Sequence, residues 1–138
     1  MKATGGRWYL DSGCSKHMTG DKTKFISLQS KNGGGVTFGG SGQGKIIGIG
    51  KIGKNSSTSI DNVLLVEGLN HNLLSISQLC EKNNRVIFNS EFCIVENMDD
   101  NKIKLVGQRI NNVYTINLDD EMPLDSKCLI SVNNDSWL

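Results

Sequence analysis

The residues with the clearest chemical potential are Asp11, Ser12 and Gly13. They follow a run of large residues, Arg7 to Leu10, whose composition predicts a short strand. A carboxylate there lies on a tight turn, where backbone N–H groups can reach it and where it can accept or donate a proton. Ser12 offers a hydroxyl for a local or intersubunit hydrogen bond, and Gly13 allows close backbone approach. Taken alone, such a tripeptide is more often an ordinary turn.

Two glycine-rich segments match nucleotide-binding motifs in outline. Residues 48–53 fit G-x-G-x-x-G, and residues 39–45 resemble a phosphate-binding loop. The first lies in an alternating pattern typical of a strand, whereas dinucleotide binding requires the motif to begin a helix. The second has Ile46 where a Ser or Thr would hold magnesium. A flexible hairpin is the favoured interpretation of both segments.

Several cysteines and histidines are candidate metal ligands, with Cys14 and His17 at ligand-like spacing; the others are His71, Cys80 and Cys93. A structural zinc site needs two close pairs of ligands, and this chain has one such pair. We therefore predict that no metal is bound. His17 is predicted at the surface and His71 in an exposed loop, whereas Trp8 is predicted in the core.

The composition predicts one small soluble domain. The chain has 138 residues, a formal net charge of +1 and a hydrophobic content of 37%. This charge balance argues against field-driven binding of nucleic acid or membrane. The longest apolar runs are far shorter than the roughly 20 residues that a membrane span needs, and no secretory signal is recognisable. Without such a signal, the four cysteines are expected to be free thiols in a reducing compartment.

The elements that must position these residues are predicted to be mostly strands. Sixteen glycines disfavour a helical architecture. Residues 22–30 are compatible with a short helix or a strand, and the apolar spacing over 72–82 predicts the main helix. The other predicted elements are a glycine-tipped hairpin at 36–52, a buried strand at 60–66, a hairpin at 85–88 and 92–96, and strands at 103–106 and 113–118. Residues 1–6 are interpreted as an extension, 7–118 as the domain, and 119–138 as a tail, with a possible strand at 128–132.

Taken together, the segments resemble the retropepsin-like aspartic proteases, most closely the protease segment of plant Ty1/copia-type retrotransposon polyproteins. The resemblance rests on residues 8–20 (Trp-Tyr-Leu-Asp-Ser-Gly-Cys-Ser-Lys-His-Met-Thr-Gly), 36–39, 44–50 and 62–79, and it extends over nearly all of 7–118. It implies a mainly β, retropepsin-like, closed barrel-like fold with one short helix and a two-fold symmetric homodimer. Ser75 replaces the glycine usual after the paired apolar residues of this family.

The resemblance also implies an aspartic endopeptidase that processes a Gag-Pol polyprotein. Each subunit would contribute one Asp11, with Ser12 and Gly13 completing the catalytic turn, and no cofactor or metal would be needed. The substrate-binding residues would be Cys14, Ser15, Phe38, Gly39, Gly40, Ser41 and Gly42. The expected partners are a second copy of the chain and a polyprotein peptide, with no nucleic acid or membrane bound, in a cytoplasmic, particle-associated location. The tail would lead toward an integrase.

Two other functions are compatible with the same residues. One is an inactive or domesticated relative that keeps the dimer and binds peptides without cutting them. The other is a small metal or nucleic-acid module adjoining the integrase. The intact Asp11-Ser12-Gly13 sequence separates the protease from the inactive relative only in part, so cleavage has to be measured.

Overall fold

A computed structural model of the chain describes residues 6–38, 42–55 and 58–119, which form eleven strands and one short helix. The strands are β1 (Arg7–Asp11), β2 (Met18–Thr19), β3 (Phe25–Ser30), β4 (Gly35–Phe38), β5 (Gly42–Ile52), β6 (Ile60–Glu67), β7 (Asn72–Ser75), β8 (Asn84–Phe88), β9 (Phe92–Asn97), β10 (Ile103–Ile110) and β11 (Val113–Asn117). Helix α1 spans Ile76–Glu81, and a single 3-10 turn spans Lys22–Lys24. The predicted mainly β fold with one short helix is confirmed.

All the strands belong to one sheet. Its order is β3-β5-β6-β2-β7-β1-β11-β10-β9-β8, and β4 pairs with β5 beside this path. Most neighbours are antiparallel, but β1 pairs with β7 and β2 pairs with β6 in parallel. The path is open between β3 and β8 in the described residues. Chain segments distant in sequence therefore meet in the middle of the sheet, where β1 ends.

The helix predicted over residues 72–82 is partly wrong. Residues 72–75 form β7, because they pair on one side with β1 and on the other with β2. Helix α1 begins only after Ser75, which is its N-cap residue. Tertiary pairing has overridden the helical spacing of the apolar residues in this segment. The undecided segment 22–30 is the 3-10 turn followed by β3.

The remaining predicted strands are confirmed. The long hairpin is β4 and β5, the buried strand is β6, and β8 to β11 form two consecutive hairpins. Residues 1–5 and the predicted tail from residue 120 onward, including the possible strand at 128–132, lie outside the described residues. Among the described helices, α1 is too short to cross a membrane.

Buried apolar side chains form two clusters, one on each face of the central strands. The larger cluster includes Trp8 from β1, as predicted, and the fully buried Val63 and Leu74. The smaller cluster contains Met18, Ile46, Leu64, Val66 and Leu69. Strand β6 sends alternate side chains into both clusters, which explains its continuous apolar sequence. The middle of the sheet is therefore a rigid support for whatever lies at the strand ends.

The glycines of the G-x-G-x-x-G match have a packing role. Gly48 and Gly50 lie within β5, and a Cβ on Gly50 would be 2.0 Å from the carbonyl oxygen of Ser27 on β3. Gly53 has φ of +127°, which disfavours any other residue. In the described residues, strand β6 and not a helix is the next element after this motif, so it lacks the context that a dinucleotide site requires.

Candidate active site

Asp11 is the last residue of β1, and this strand is fixed from both sides. β11 pairs with its first residues in antiparallel orientation, and β7 pairs in parallel with its end, where Asp11 lies opposite Ser75. Trp8 anchors the strand in the core with 1% of its surface exposed. The Asp11 residue is partly buried, whereas Ser12 and Gly13 are exposed. The carboxylate is thus held at the junction between a buried strand and an open turn.

The turn after β1 orients the carboxylate through its own backbone. The N–H of Gly13 donates a hydrogen bond of 2.7 Å to Oδ1 of Asp11. A Cβ on Gly13 would lie 3.2 Å from that same oxygen, so glycine permits this close approach. The Ser12 hydroxyl makes no hydrogen bond within the described part of the chain. It is available to a group from outside, as the resemblance requires.

Cys14 lies beside the carboxylate but is not a nucleophile. Its thiol is 3.8 Å from the carbonyl oxygen of Asp11, and its side chain packs against the smaller core cluster. Burial, assisted by the negative charge of Asp11, raises the pKa of this thiol to about 11. The protonated thiol is the unreactive form, so Cys14 contributes packing at neutral pH. Ser15, the next predicted binding residue, is exposed.

His17 is not at the surface, and that prediction is wrong. Only 1% of the residue is exposed, and its Nδ1 accepts a hydrogen bond of 2.8 Å from the N–H of Ser75. Its own N–H donates to Oε1 of Gln78 at 2.8 Å, and its carbonyl accepts from the N–H of Leu64 at 2.9 Å. Burial, with smaller effects of the Lys104 and Lys16 charges, lowers the pKa of His17 to about 4. The ring is therefore neutral at ordinary pH.

Ser75 and Gln78 complete a buried polar network that sequence reasoning missed. The hydroxyl of Ser75 donates to the carbonyl of Cys14 at 2.7 Å and accepts from the N–H of Gln78 at 3.1 Å. The Gln78 amide also donates to the carbonyl of Asn62 at 3.0 Å. We name residues 11–17 the active-site turn. Ser75 and Gln78 tie this turn to β6, β7 and α1 through satisfied buried groups.

A sequence signal for part of this network exists. Ser75-Ile-Ser-Gln78 is a capping-box pattern, S/T-x-x-E/Q, which would have placed the helix start correctly. In an ordinary capping box the side chain at Gln78 would accept from the N–H of Ser75. Here His17 accepts from that N–H, and the Gln78 side chain binds the backbone of His17 instead. No local pattern predicts this exchange of partners.

Two of the predicted binding residues of the hairpin, Phe38 and Gly42, lie in another part of the sheet. Phe38 pairs with Gly42 at the end of the β4–β5 ladder, while Gly39, Gly40 and Ser41 lie outside the described residues. Three strands separate β5 from β1 in the sheet order. Described parts of the hairpin line an open groove of about 500 Å³, with polar and small side chains and Glu67 from β6.

The candidate metal ligands occupy different environments. Cys93 is fully buried in the larger core cluster, where burial raises the pKa of its thiol to about 12. Cys80 is exposed, and so is His71, as predicted; His71 contacts the ring of Tyr9 edge-on. Cys128 lies outside the described residues. No group of three or more His, Cys, Asp or Glu side chains in the described ranges is placed to hold a metal ion.

Comparison with models of known protein families identifies the family of this β domain. A family model described as the Pol polyprotein beta-barrel domain matches residues 8–84, which is more than half of the chain. The chain belongs to this family, and it therefore originates from a retroelement Pol polyprotein. Neither the curated proteins nor the solved structures include a match.

Proposed function

We propose that this domain is an aspartic endopeptidase that processes the polyprotein in which it is made. The observation that supports this best is the active-site turn. Asp11 ends a strand buried between β7 and β11, its carboxylate is oriented by the Gly13 N–H, and the turn itself is open. A carboxylate that is held in position at an open turn can act as a general acid or base. The resemblance to copia-type proteases in residues 8–79 points to the same activity.

The proposed site contains two copies of the chain. A hydrophobic residue followed by Asp, Ser or Thr, and Gly occurs once in the 138 residues, at Leu10 to Gly13. Water activation by an aspartic protease needs two carboxylates, and in this proposal a second copy of the chain supplies the other one. Ser12 and Gly13 are exposed in the single chain and would meet their counterparts at the two-fold axis. The Ser12 hydroxyl would then brace the opposing turn.

The proposed mechanism follows from the repulsion between like charges. Two carboxylates about 3 Å apart cannot both ionise, so they share one proton. The ionised carboxylate accepts a proton from a water molecule, and the protonated one donates a hydrogen bond to the scissile carbonyl oxygen. Attack of the water gives a tetrahedral diol, and return of a proton to the amide nitrogen releases the two peptides. The pair titrates as a unit.

A peptide substrate would be held as an added strand. In the described residues β4 pairs only with β5, so its outer edge is open to main-chain hydrogen bonding. The groove beside it is lined by Thr37, Gln43, Lys45 and Glu67 among others. These polar side chains favour a substrate with polar or charged residues near the cleavage site. Two chains would bring two such hairpins to one peptide.

The experiment that tests the function is cleavage of a proteome-derived peptide library, with new termini identified by mass spectrometry. Wild-type protein should cleave at acidic pH, and pepstatin should inhibit it, because that compound mimics the tetrahedral intermediate. Asp11→Asn should reduce the rate by at least about 10²-fold, since it removes the acid–base pair without changing size. Circular dichroism should show an unchanged fold in the variant.

Three results would contradict the proposal. Cleavage that survives in Asp11→Asn within about tenfold of wild type would show that other groups carry the chemistry. An active sample with the scattering mass of one chain would exclude a shared site. Peptide binding by wild type without any cleavage, and with pepstatin without effect, would favour the inactive peptide-binding relative. Specific activity should also fall on dilution, because the site exists only in the dimer.

A further inference from the structure

The active-site turn is held by a hydrogen bond to the ring of His17. An ordinary histidine would be protonated, and would lose this bond, at the pH where the proposed site works. Aspartic dyads act in mildly acidic solution, because one carboxylate must keep its proton. An ordinary histidine, with a pKa of about 6.5, is cationic there and can no longer accept a hydrogen bond at Nδ1. His17 accepts at Nδ1, so its environment has to keep the ring neutral.

We propose that His17 is a positioning residue, whose neutral ring fixes the Asp11 carboxylate through Ser75 and thereby allows catalysis in acid. The inference rests on the proposed protease function and deepens it. Ser75 donates to His17 through its N–H and to Cys14 through its hydroxyl, so one residue grips the turn at two points. These points lie six and three residues beyond Asp11, on the segment that carries the carboxylate.

The three hydrogen bonds of His17 leave it little freedom. Its N–H, its carbonyl and its ring each have a different partner, at distances of 2.8–2.9 Å. The partners are Gln78 in α1, Leu64 in β6 and Ser75 at the end of β7. Because Nδ1 accepts a hydrogen bond, the ring proton of the neutral form is on Nε2. A displacement of the ring would move both the turn and the start of the helix.

The surroundings of the ring explain why it stays neutral. His17 lines a cavity of about 220 Å³ together with Lys82 and Lys104, while Lys16 is its neighbour in the turn. The one carboxylate at this cavity, Asp61, lies 3.5 Å from Lys51. Burial and the lysine charges lower the pKa of His17 to about 4. The acceptor therefore persists from neutral pH down to about pH 4, which includes mildly acidic solution.

Two neutral amide replacements separate the acceptor from the rest of the ring. In His17→Asn, Oδ1 takes the place of Nδ1, and the bond from Ser75 can be kept. In His17→Gln, the amide reaches the position of Nε2, and that bond is lost. Both variants are compared with wild type in steady-state cleavage of one peptide identified with the library. The Gln variant should lose about 10²-fold in kcat with little change in KM, whereas the kcat of the Asn variant should stay within a few-fold of wild type.

The control for a merely structural effect is Val95→Ala, which lowers stability from β9, a strand separated from β1 by two others in the sheet order. It should leave kcat unchanged at a temperature where the protein is folded. Equal kcat values for His17→Gln and Val95→Ala, or equal losses in the Asn and Gln variants, would overturn the inference while leaving the protease function intact. A wild-type protein that cleaves nothing would overturn both.

A pH profile keeps the test decisive if His17→Gln does not fold. Wild-type kcat should fall more steeply than that of His17→Asn below about pH 4, because the wild type loses its acceptor there and the Asn variant does not. Identical acid limbs in the two proteins would contradict the proposed role.

Discussion

The active-site turn and the glycine hairpin (residues 35–38 and 42–45) differ in what holds them. In the turn, buried side chains bond to backbone groups about 60 residues away, as the His17 ring does with the N–H of Ser75 and the Gln78 amide does with the N–H of His17. In the hairpin, the backbone bonds join residues close in sequence, and most side chains are exposed. Long-range buried bonds fix one geometry, whereas a local exposed ladder tolerates several. The molecule thus separates a fixed turn, which holds the proposed catalytic carboxylate, from an adaptable hairpin, which forms the proposed peptide-binding surface.

Acid should destabilise the active-site turn first, and this is the largest effect expected on the stability of the unmutated protein. The pKa of His17 is about 6.5 unfolded and about 4 folded, so between these values the unfolded chain binds a proton that the folded chain does not. The stability that His17 contributes is complete above pH 6.5 and is lost as the pH falls to 4. The loss amounts to about 3 kcal/mol. Urea unfolding at several pH values measures it.

The matched control for this prediction is His17→Asn, which has no titrating group at that position. Between pH 6.5 and 4, its free energy of unfolding should fall by about 3 kcal/mol less than that of wild type. Parallel curves for the two proteins would show that carboxylates, and not His17, cause the acid sensitivity.

A smaller loss is expected from Ser75→Ala. The change removes the N-cap acceptor for Gln78 and leaves the carbonyl of Cys14 without its donor, which together cost about 2 kcal/mol. Hydrogen exchange should become faster at residues 13–17 and stay unchanged in the hairpin. Ser77→Ala is the control, because its exposed hydroxyl bonds only to that of Ser75. Equal exchange rates in the two variants would contradict the assigned role of Ser75.

The smallest effect on stability is expected in the hairpin. A Cβ on Gly35 would lie 3.5 Å from the carbonyl of Gly44, an ordinary contact, so Gly35→Val should change stability by no more than about 0.5 kcal/mol. KM for a cleaved peptide should nevertheless rise several-fold, because the new side chain fills the groove. Gly50→Val, further along β5 where it pairs with β3 and β6, should unfold the domain, because a Cβ there would collide with the backbone of β3. An unchanged KM would exclude the groove as the peptide site.

Most strands could be predicted from the sequence because their position depends on local residue patterns. Alternation and glycine turns predict the β4–β5 hairpin, and a continuous apolar run predicts β6. The start of α1 was misplaced, because β7 is defined by pairing with strands more than 50 residues earlier in the chain. The same limit applies to the site. Asp11 is marked by its own neighbours, whereas burial of His17 depends on Ser75 and Gln78, which no periodicity connects to it.

The pairing of β1 with β11 also sets a time at which the domain can form. Arg7 lies opposite Asn117, and the N–H of Leu118 donates to the carbonyl of Gly6. Strand β1 is therefore paired along one side with β11, the last of the described strands. At a synthesis rate of about 5–20 residues per second, Asn117 is added on the order of 5–20 s after Asp11. The segment matched by the family ends at residue 84, well before β11. A nascent polyprotein therefore carries its aspartate on an incomplete sheet while most of this domain is being translated. Under the proposed function, the order of synthesis alone would delay self-cleavage.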